Sequence, residues 1–258
     1  MALLLFLVLL VVLFIFLLFL FRCIAFKRHI VREFRRCNVI VDGKKGSGKD
    51  LLFSEVIYKR KEKYYANVDY GGDCDLISAK DISCAPNTYK NFIEGNVDVV
   101  DRRFVEGCDC YISDGGIYLP SYMDSVLYKT YPSFPIYYAL SRHLACHNIH
   151  VNVQNFGRVW KALREQADSF IHVHCTLNLP FFLLVKATIY DDLESAMAHR
   201  RPIKTRLLNR FSKAQADLYR AQNGDIESGW VIIPKKHVRY NTRYFETVIY
   251  GDSPRLEE

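Results

Sequence analysis

Charge is missing from the start of this chain. Residues 1–21, MALLLFLVLLVVLFIFLLFLF, hold no acid, no base, no glycine, no proline and no serine. A helix rises about 1.5 Å per residue, so about 20 such residues cross the roughly 30 Å hydrocarbon layer of a membrane. A basic leader before the run and a small-residue cleavage motif after it are also absent. Their absence argues against a removed signal peptide and for a retained anchor. Essentially nothing precedes the run, so no external domain is expected on that side. The eight cysteines include no CxxC pair and no framework spacing, which favours a reduced compartment. Cys108 and Cys110, with His143 and His147, are the nearest approach to a zinc set, and their spacing is not that of zinc ligands. Internal repeats and low-complexity linkers are lacking too, which excludes solenoids and tethered modules.

Positive charge, by contrast, is plentiful and one-sided. Arg22, Lys27, Arg28, Arg32, Arg35 and Arg36 follow the apolar run and supply much of the formal net charge of +7. The positive-inside bias places the N-terminus outside and the rest of the chain in the cytoplasm of the host cell. Contact with anionic lipid is sufficient reason for the cluster.

Beyond the anchor, strands and helices alternate. CNVIVDG (37–43) is a β-branched run ending in glycine, and KDLLFSEVIYKRKEK (49–63) carries a helical apolar stripe. Strands are expected at 64–70, 108–116, 148–155, 169–179 and 181–192, with a short helix at 157–168. Residues 71–96 are loop-rich. The run LPFFLLV reaches only Lys186, too short to span a membrane, and reads as a core strand. An amphipathic helix at 203–222 and strands at 229–234 and 243–251 close the chain. The expected organisation is a transmembrane anchor (1–22), a basic juxtamembrane segment (23–36), an α/β P-loop domain with a mostly parallel sheet (37–192), and a C-terminal helix with terminal strands (193–258).

The chemistry concentrates in VDGKKGSGKD. Gly43, Lys44, Lys45, Gly46, Ser47, Gly48 and Lys49 match G-x-x-x-x-G-K between a strand and a helix. Glycines let backbone N–H groups wrap phosphates, the helix start favours negative charge, and Lys49 reaches the terminal phosphates of a nucleotide such as ATP. A Ser or Thr hydroxyl, the usual magnesium ligand, is missing from the next position; Asp50 stands there. A carboxylate is also a hard oxygen donor for Mg2+. At roughly 5 Å and an effective dielectric near 20 it repels each phosphate charge by about 3 kcal/mol unless a cation intervenes. Asp50 is therefore a candidate metal ligand, the alternative being a helix cap. Asp114, at the end of CYISD, is the second candidate metal ligand, in the manner of a Walker B acid. The Glu that many ATPases place next, to polarise water, is missing; Gly115 is there. Gln154 is the candidate to orient water and Arg142 the candidate to reach a neighbouring subunit's nucleotide, although a lone Arg is more often a surface charge. Tyr118, Tyr122, Tyr128, Tyr131, Phe134, Tyr137 and Tyr138 offer either a grip on a polymer or ordinary packing.

GKKGSGKD, YYANVDY, YISDGGIYLPS and SRHLACHNIHVNVQN in this order resemble the filamentous-phage (inovirus) assembly ATPases. These are the zonula occludens toxin-like (Zot) family of the FtsK–HerA-type P-loop ATPases. The resemblance covers roughly residues 37–190. It implies an inner-membrane homo-oligomer, a ring with the hexamer as its candidate form, that uses ATP and Mg2+ to extrude single-stranded DNA virions as phage coat proteins are added. Departures are Asp50, Gly115 and a span that precedes the ATPase domain instead of following it. Two other readings are open. Deoxynucleotide-type small-molecule kinases also end their loop in Gly-Lys-Asp but have no use for an anchor. A nucleotide-gated membrane scaffold would bind ATP with little hydrolysis.

Overall fold

The computed structural model describes residues 2–76, 108–118, 120–123, 125, 138, 148–191, 193, 196, 227–238 and 240. Eight strands form one sheet: β1 (Val39–Gly43), β2 (Tyr64–Ala66), β3 (Cys74–Leu76), β4 (Asp109–Ile112), β5 (Ile149–Val153), β6 (Ser169–Asn178), β7 (Phe182–Tyr190) and β8 (Glu227–Pro234). Their order is β3-β2-β4-β5-β1-β6-β7-β8. The strands from β3 to β6 run parallel; β7 and β8 are antiparallel additions. The mixed, mostly parallel sheet is the one expected. The run that includes Phe182–Val185 lies in β7, and Val185 is fully buried, as a core strand requires.

Alternation along each strand divides the core between two faces. Val39 and Val41 point to one face with Tyr111, Ile171 and Val173; Ile40 points to the other with Ile112, Val151 and Trp160. Helix α2 (Lys49–Arg60) covers the first face through Leu52, Phe53, Val56 and Ile57. It stops at Lys61, whose left-handed backbone (φ 56°) returns its N–H to the Ile57 carbonyl at 3.1 Å. The second face is covered by a 3₁₀ turn at Phe156–Arg158 and a short helix at Lys161–Gln166.

Helix α1 departs from the expected division at residue 22. It runs unbroken from Ala2 to Arg36, about 52 Å at helical rise. Residues 4–22 are apolar and exposed, apart from a partly covered Leu20 and from Arg22 at the boundary. Leu4–Arg36 holds a stretch long and apolar enough to cross a membrane. Residues 23–36 are not a solvated connector. Cys23, Phe26, Ile30 and Phe34, spaced three and four apart, form one stripe buried on β8 and α2. Burying Phe26, Ile30 and Phe34 stabilises this docking by roughly 5–9 kcal/mol as an upper figure. Phe26 lies so close over Gly229 that a Cβ there would stand 2.5 Å from its ring. Lys27 pairs with Glu55 of α2 and donates to the Ile232 carbonyl at 2.9 Å. The C-terminal carbonyls of α1 meet side chains instead of water: Arg60 donates to Phe34 O, and Asn148 to Arg35 O.

Two further differences concern short elements. β3 falls inside the stretch expected to be loop; three residues are too few to leave a periodic signal. β8 extends the same sheet, so Glu227–Pro234 belongs to the core of the P-loop unit and not to an appendage. The helix expected at 203–222 and the strand at 243–251 lie outside the described residues.

Candidate functional site

β1 ends at Gly43 in the middle of the sheet, and residues 44–48 turn back into α2. Gly46 and Gly48 have φ of 76° and 102°, the left-handed region that side-chain-bearing residues rarely adopt. Space is as restrictive as torsion. A Cβ on Gly43 would stand 2.6 Å from the Val173 carbonyl, and one on Gly48 would stand 2.2 Å from Thr176 Oγ1. Thr176 donates to the Ser47 carbonyl at 2.7 Å, so β6 braces the loop from the side. One strand position before the loop, Asp42 Oδ1 and His172 Nδ1 meet at 2.5 Å and tie β1 to β6. Ser47 Oγ is buried without a hydrogen-bond partner among the described residues. Lys49 is buried, and its ammonium donates to the carbonyls of Gly43 (3.1 Å) and Lys44 (3.2 Å). The loop thus holds a cation over its own mouth and opens a helix N-terminus behind it.

Asp50 faces across the sheet. The residue preceding α2 is Gly48, with no side-chain cap, and Asp50 does not serve as one. Its Oδ1 accepts three hydrogen bonds from other elements: Tyr70 Oη at 2.7 Å, Ser113 Oγ at 2.9 Å and Asn152 Nδ2 at 2.6 Å. Burial, with the Asp50 charge next to it, pushes the Tyr70 phenol well above its usual range and keeps it a donor. Three donors on Oδ1 leave Oδ2 as the oxygen available to a cation.

Asp114 sits two residues past β4, not on the strand. Its φ of 51° is left-handed, which Asp tolerates better than most residues, and it starts a helical turn at Gly115–Tyr118. The turn is fixed by polar pairing. Asn67 exchanges two hydrogen bonds with the Ser113 backbone (2.8 and 2.7 Å), and Asp114 N–H donates to Asn152 Oδ1 at 2.8 Å. Asn152 therefore holds Asp50 with its amide nitrogen and Asp114 with its oxygen. Desolvation, then the Asp50 charge, raises the Asp114 carboxyl above its usual range against the pull of Lys49 and Lys45. Two carboxylates sharing one partly buried rim, with Lys49 engaged by carbonyls, are a donor set that suits a hard divalent cation bridging to phosphate. Among the described residues no group of three His, Cys, Asp or Glu forms a metal cluster.

Gly115 has a structural reason. A Cβ there would lie 2.2 Å from Val151 Cγ1, so the position where a glutamate is usual is filled by β5. Gln154 follows β5 at the same rim, exposed, with Oε1 3.5 Å from Arg158 Nη1. Arg158 also flanks Gly116. Arg142, His143, His147, Tyr128, Tyr131, Phe134 and Tyr137 lie outside the described residues. Tyr138 is fully buried and Tyr122 is 85% exposed, so the two described tyrosine side chains of that interval have opposite surroundings.

Sequence reading missed Tyr70, Ser113, Asn152 and Thr176. Asn152 had a signal: a polar residue between two valines of a strand, two before Gln154.

No protein-family model and no curated protein matches the sequence. Among solved structures, the chain is similar to the N-terminal domain of zonular occludens toxin from Neisseria meningitidis. That match has 10% identity over 82% of this chain and 98% of that one, with a TM-score of 0.45. It is also similar to the genome packaging NTPase B204 of Sulfolobus turreted icosahedral virus 2 in complex with AMP (16%, 61% and 93%, 0.38) and to the Legionella pneumophila ATPase DotB (9%, 85% and 62%, 0.32).

Proposed function

We propose that this chain is a membrane-anchored P-loop ATPase whose nucleotide site depends on magnesium more strongly than usual. The observation that carries the reading is the joining of Asp50 and Asp114 through Asn152 beside Lys49. In this reading the backbone N–H groups of residues 44–48 and the start of α2 bind the phosphates, and Lys49 turns from the loop carbonyls to the terminal phosphates. Asp50 and Asp114 would hold Mg2+, which would supply neutralising charge next to the phosphates. Gln154 orients the attacking water, with Arg158 as its neighbour at 3.5 Å. Arg142 is assigned to a neighbouring subunit's nucleotide in a ring. An arginine supplied in this way is worth roughly 10³–10⁵ in rate, so the isolated subunit hydrolyses slowly.

The biological work we assign is extrusion of single-stranded DNA virions with phage coat proteins, on the resemblance of residues 37–190 to assembly ATPases. The fusion of α1 to the sheet supports it mechanically, because force on the domain is delivered to the membrane through a helix and not a tether. A second reading, the nucleotide-gated scaffold, is favoured by Gly115, which carries no water-polarising side chain and packs directly on Val151. Hydrolysis by the detergent-solubilised chain, with and without single-stranded DNA and coat protein, separates the two. Stimulated turnover that is lost in Gln154→Ala and Arg142→Ala, with nucleotide binding retained, supports the motor. Tight binding with no stimulated turnover leaves the scaffold.

A further inference from the structure

The basic residues after the apolar run do different jobs. Lys27 turns inward to Glu55, and Arg36 has a partner of its own. Arg28, Arg32 and Arg35, four and three residues apart, form one exposed stripe of α1, away from the stripe buried on the sheet. Lys59 of α2 faces them across a groove of about 590 Å³ floored by Ile24 and Val31. None of these three arginines, nor Lys59, makes an ion pair with a described residue.

We propose that this groove binds the phosphate of an anionic phospholipid at the surface of the membrane that α1 crosses. The proposal rests on the anchoring reading above. Depth favours lipid: Ile24 is three residues past Phe21, and Arg28 about 10 Å past it along the helix. The headgroup layer is roughly 5–8 Å deep on each side, and a Debye length of about 8–10 Å carries the field of Arg32 back to it. Composition favours lipid as well. Guanidinium forks match phosphate, and the two aliphatic side chains of the floor suit a glycerol and first methylenes. A nucleic-acid strand would be served by exposed aromatic rings, and no lining residue is aromatic. Each basic residue near an anionic surface contributes roughly fivefold, so three contribute about a hundredfold.

The test uses the full chain in neutral detergent, titrated with phosphatidylglycerol or phosphatidylcholine and read by native mass spectrometry. Parallel arms contain inorganic phosphate or a single-stranded oligonucleotide. Expected are retained phosphatidylglycerol adducts, weakened about a hundredfold in the triple variant Arg28→Gln, Arg32→Gln, Arg35→Gln, with unchanged nucleotide binding as the folding control. Equal retention of both lipids, or an unchanged triple variant, overturns the proposal. So does displacement of lipid by free phosphate, or oligonucleotide binding that depends on the three arginines while lipid binding does not. The anchoring reading fails separately, if the chain remains monodisperse without detergent.

Discussion

The two ends of the parallel strands each gather carboxylates, buried at one end and half-buried at the other, and they treat them in opposite ways. At the end away from the phosphate loop, Asp109 pairs with Arg60, stands 3.3 Å from His150 Nε2 and accepts the Asn148 N–H at 3.1 Å. Arg60 in turn reaches Phe34 O and Glu62. The carboxylate there is paired by side chains within the fold, Arg60 standing between Asp109 and Glu62. At the loop end, two carboxylates share a rim, and the ammonium of Lys49 is held by carbonyls. One end is closed and structural; at the other, neither Asp50 nor Asp114 makes an ion pair with a described residue.

Arg60→Met breaks the closed end and should have the largest effect. It leaves Asp109 buried without its cation, at a cost of about 3–5 kcal/mol by chemical denaturation. Nucleotide affinity of the folded fraction should be unchanged, and Arg60→Met with Asp109→Leu should recover most of the stability. Lys49→Ala attacks the open end: nucleotide binding should weaken about a hundredfold in a fluorescence titration, with little change in unfolding. Retained affinity would remove Lys49 from the site.

Smaller changes sharpen the contrast. Asp114 is more costly to ionise in the folded chain than in the unfolded one, so its charge opposes folding at neutral pH. Asp114→Asn should therefore raise the apo Tm slightly while losing magnesium-dependent binding; a lower Tm would show that its charge is already compensated. The closed end has the opposite kind of pH response. Burial, then Arg60, holds His150 well below its ordinary range, so only the unfolded chain takes up the proton near pH 6.5. Stability should be full above that pH and decline as pH falls below it, and His150→Asn should flatten the decline seen in thermal melts.

Much of this was legible in the sequence where a pattern is local. The glycine spacing of the loop, the β-branched strands and the uncharged first 21 residues each signal themselves within a short window. What was not legible depends on partners far along the chain. Nothing near residue 50 announces that Tyr70, Ser113 and Asn152 will converge on Asp50 from three strands and turns. Gly115 read as a missing glutamate, whereas Val151 packs so close that a Cβ there would stand 2.2 Å from its Cγ1. Likewise, Phe26, Ile30 and Phe34 form a core stripe that the neighbouring arginines hide from a reading by charge.

The most direct measurement is nucleotide binding to wild type and Asp50→Ser, each titrated with magnesium present and with magnesium chelated. An Asp50 carboxylate without an ion-pair partner beside the phosphates predicts that chelation weakens wild type far more than Asp50→Ser, by about a further tenfold or more given about 3 kcal/mol of repulsion per phosphate charge. An equal loss in both proteins would contradict it and leave Asp50 as a structural tie between α2 and the sheet.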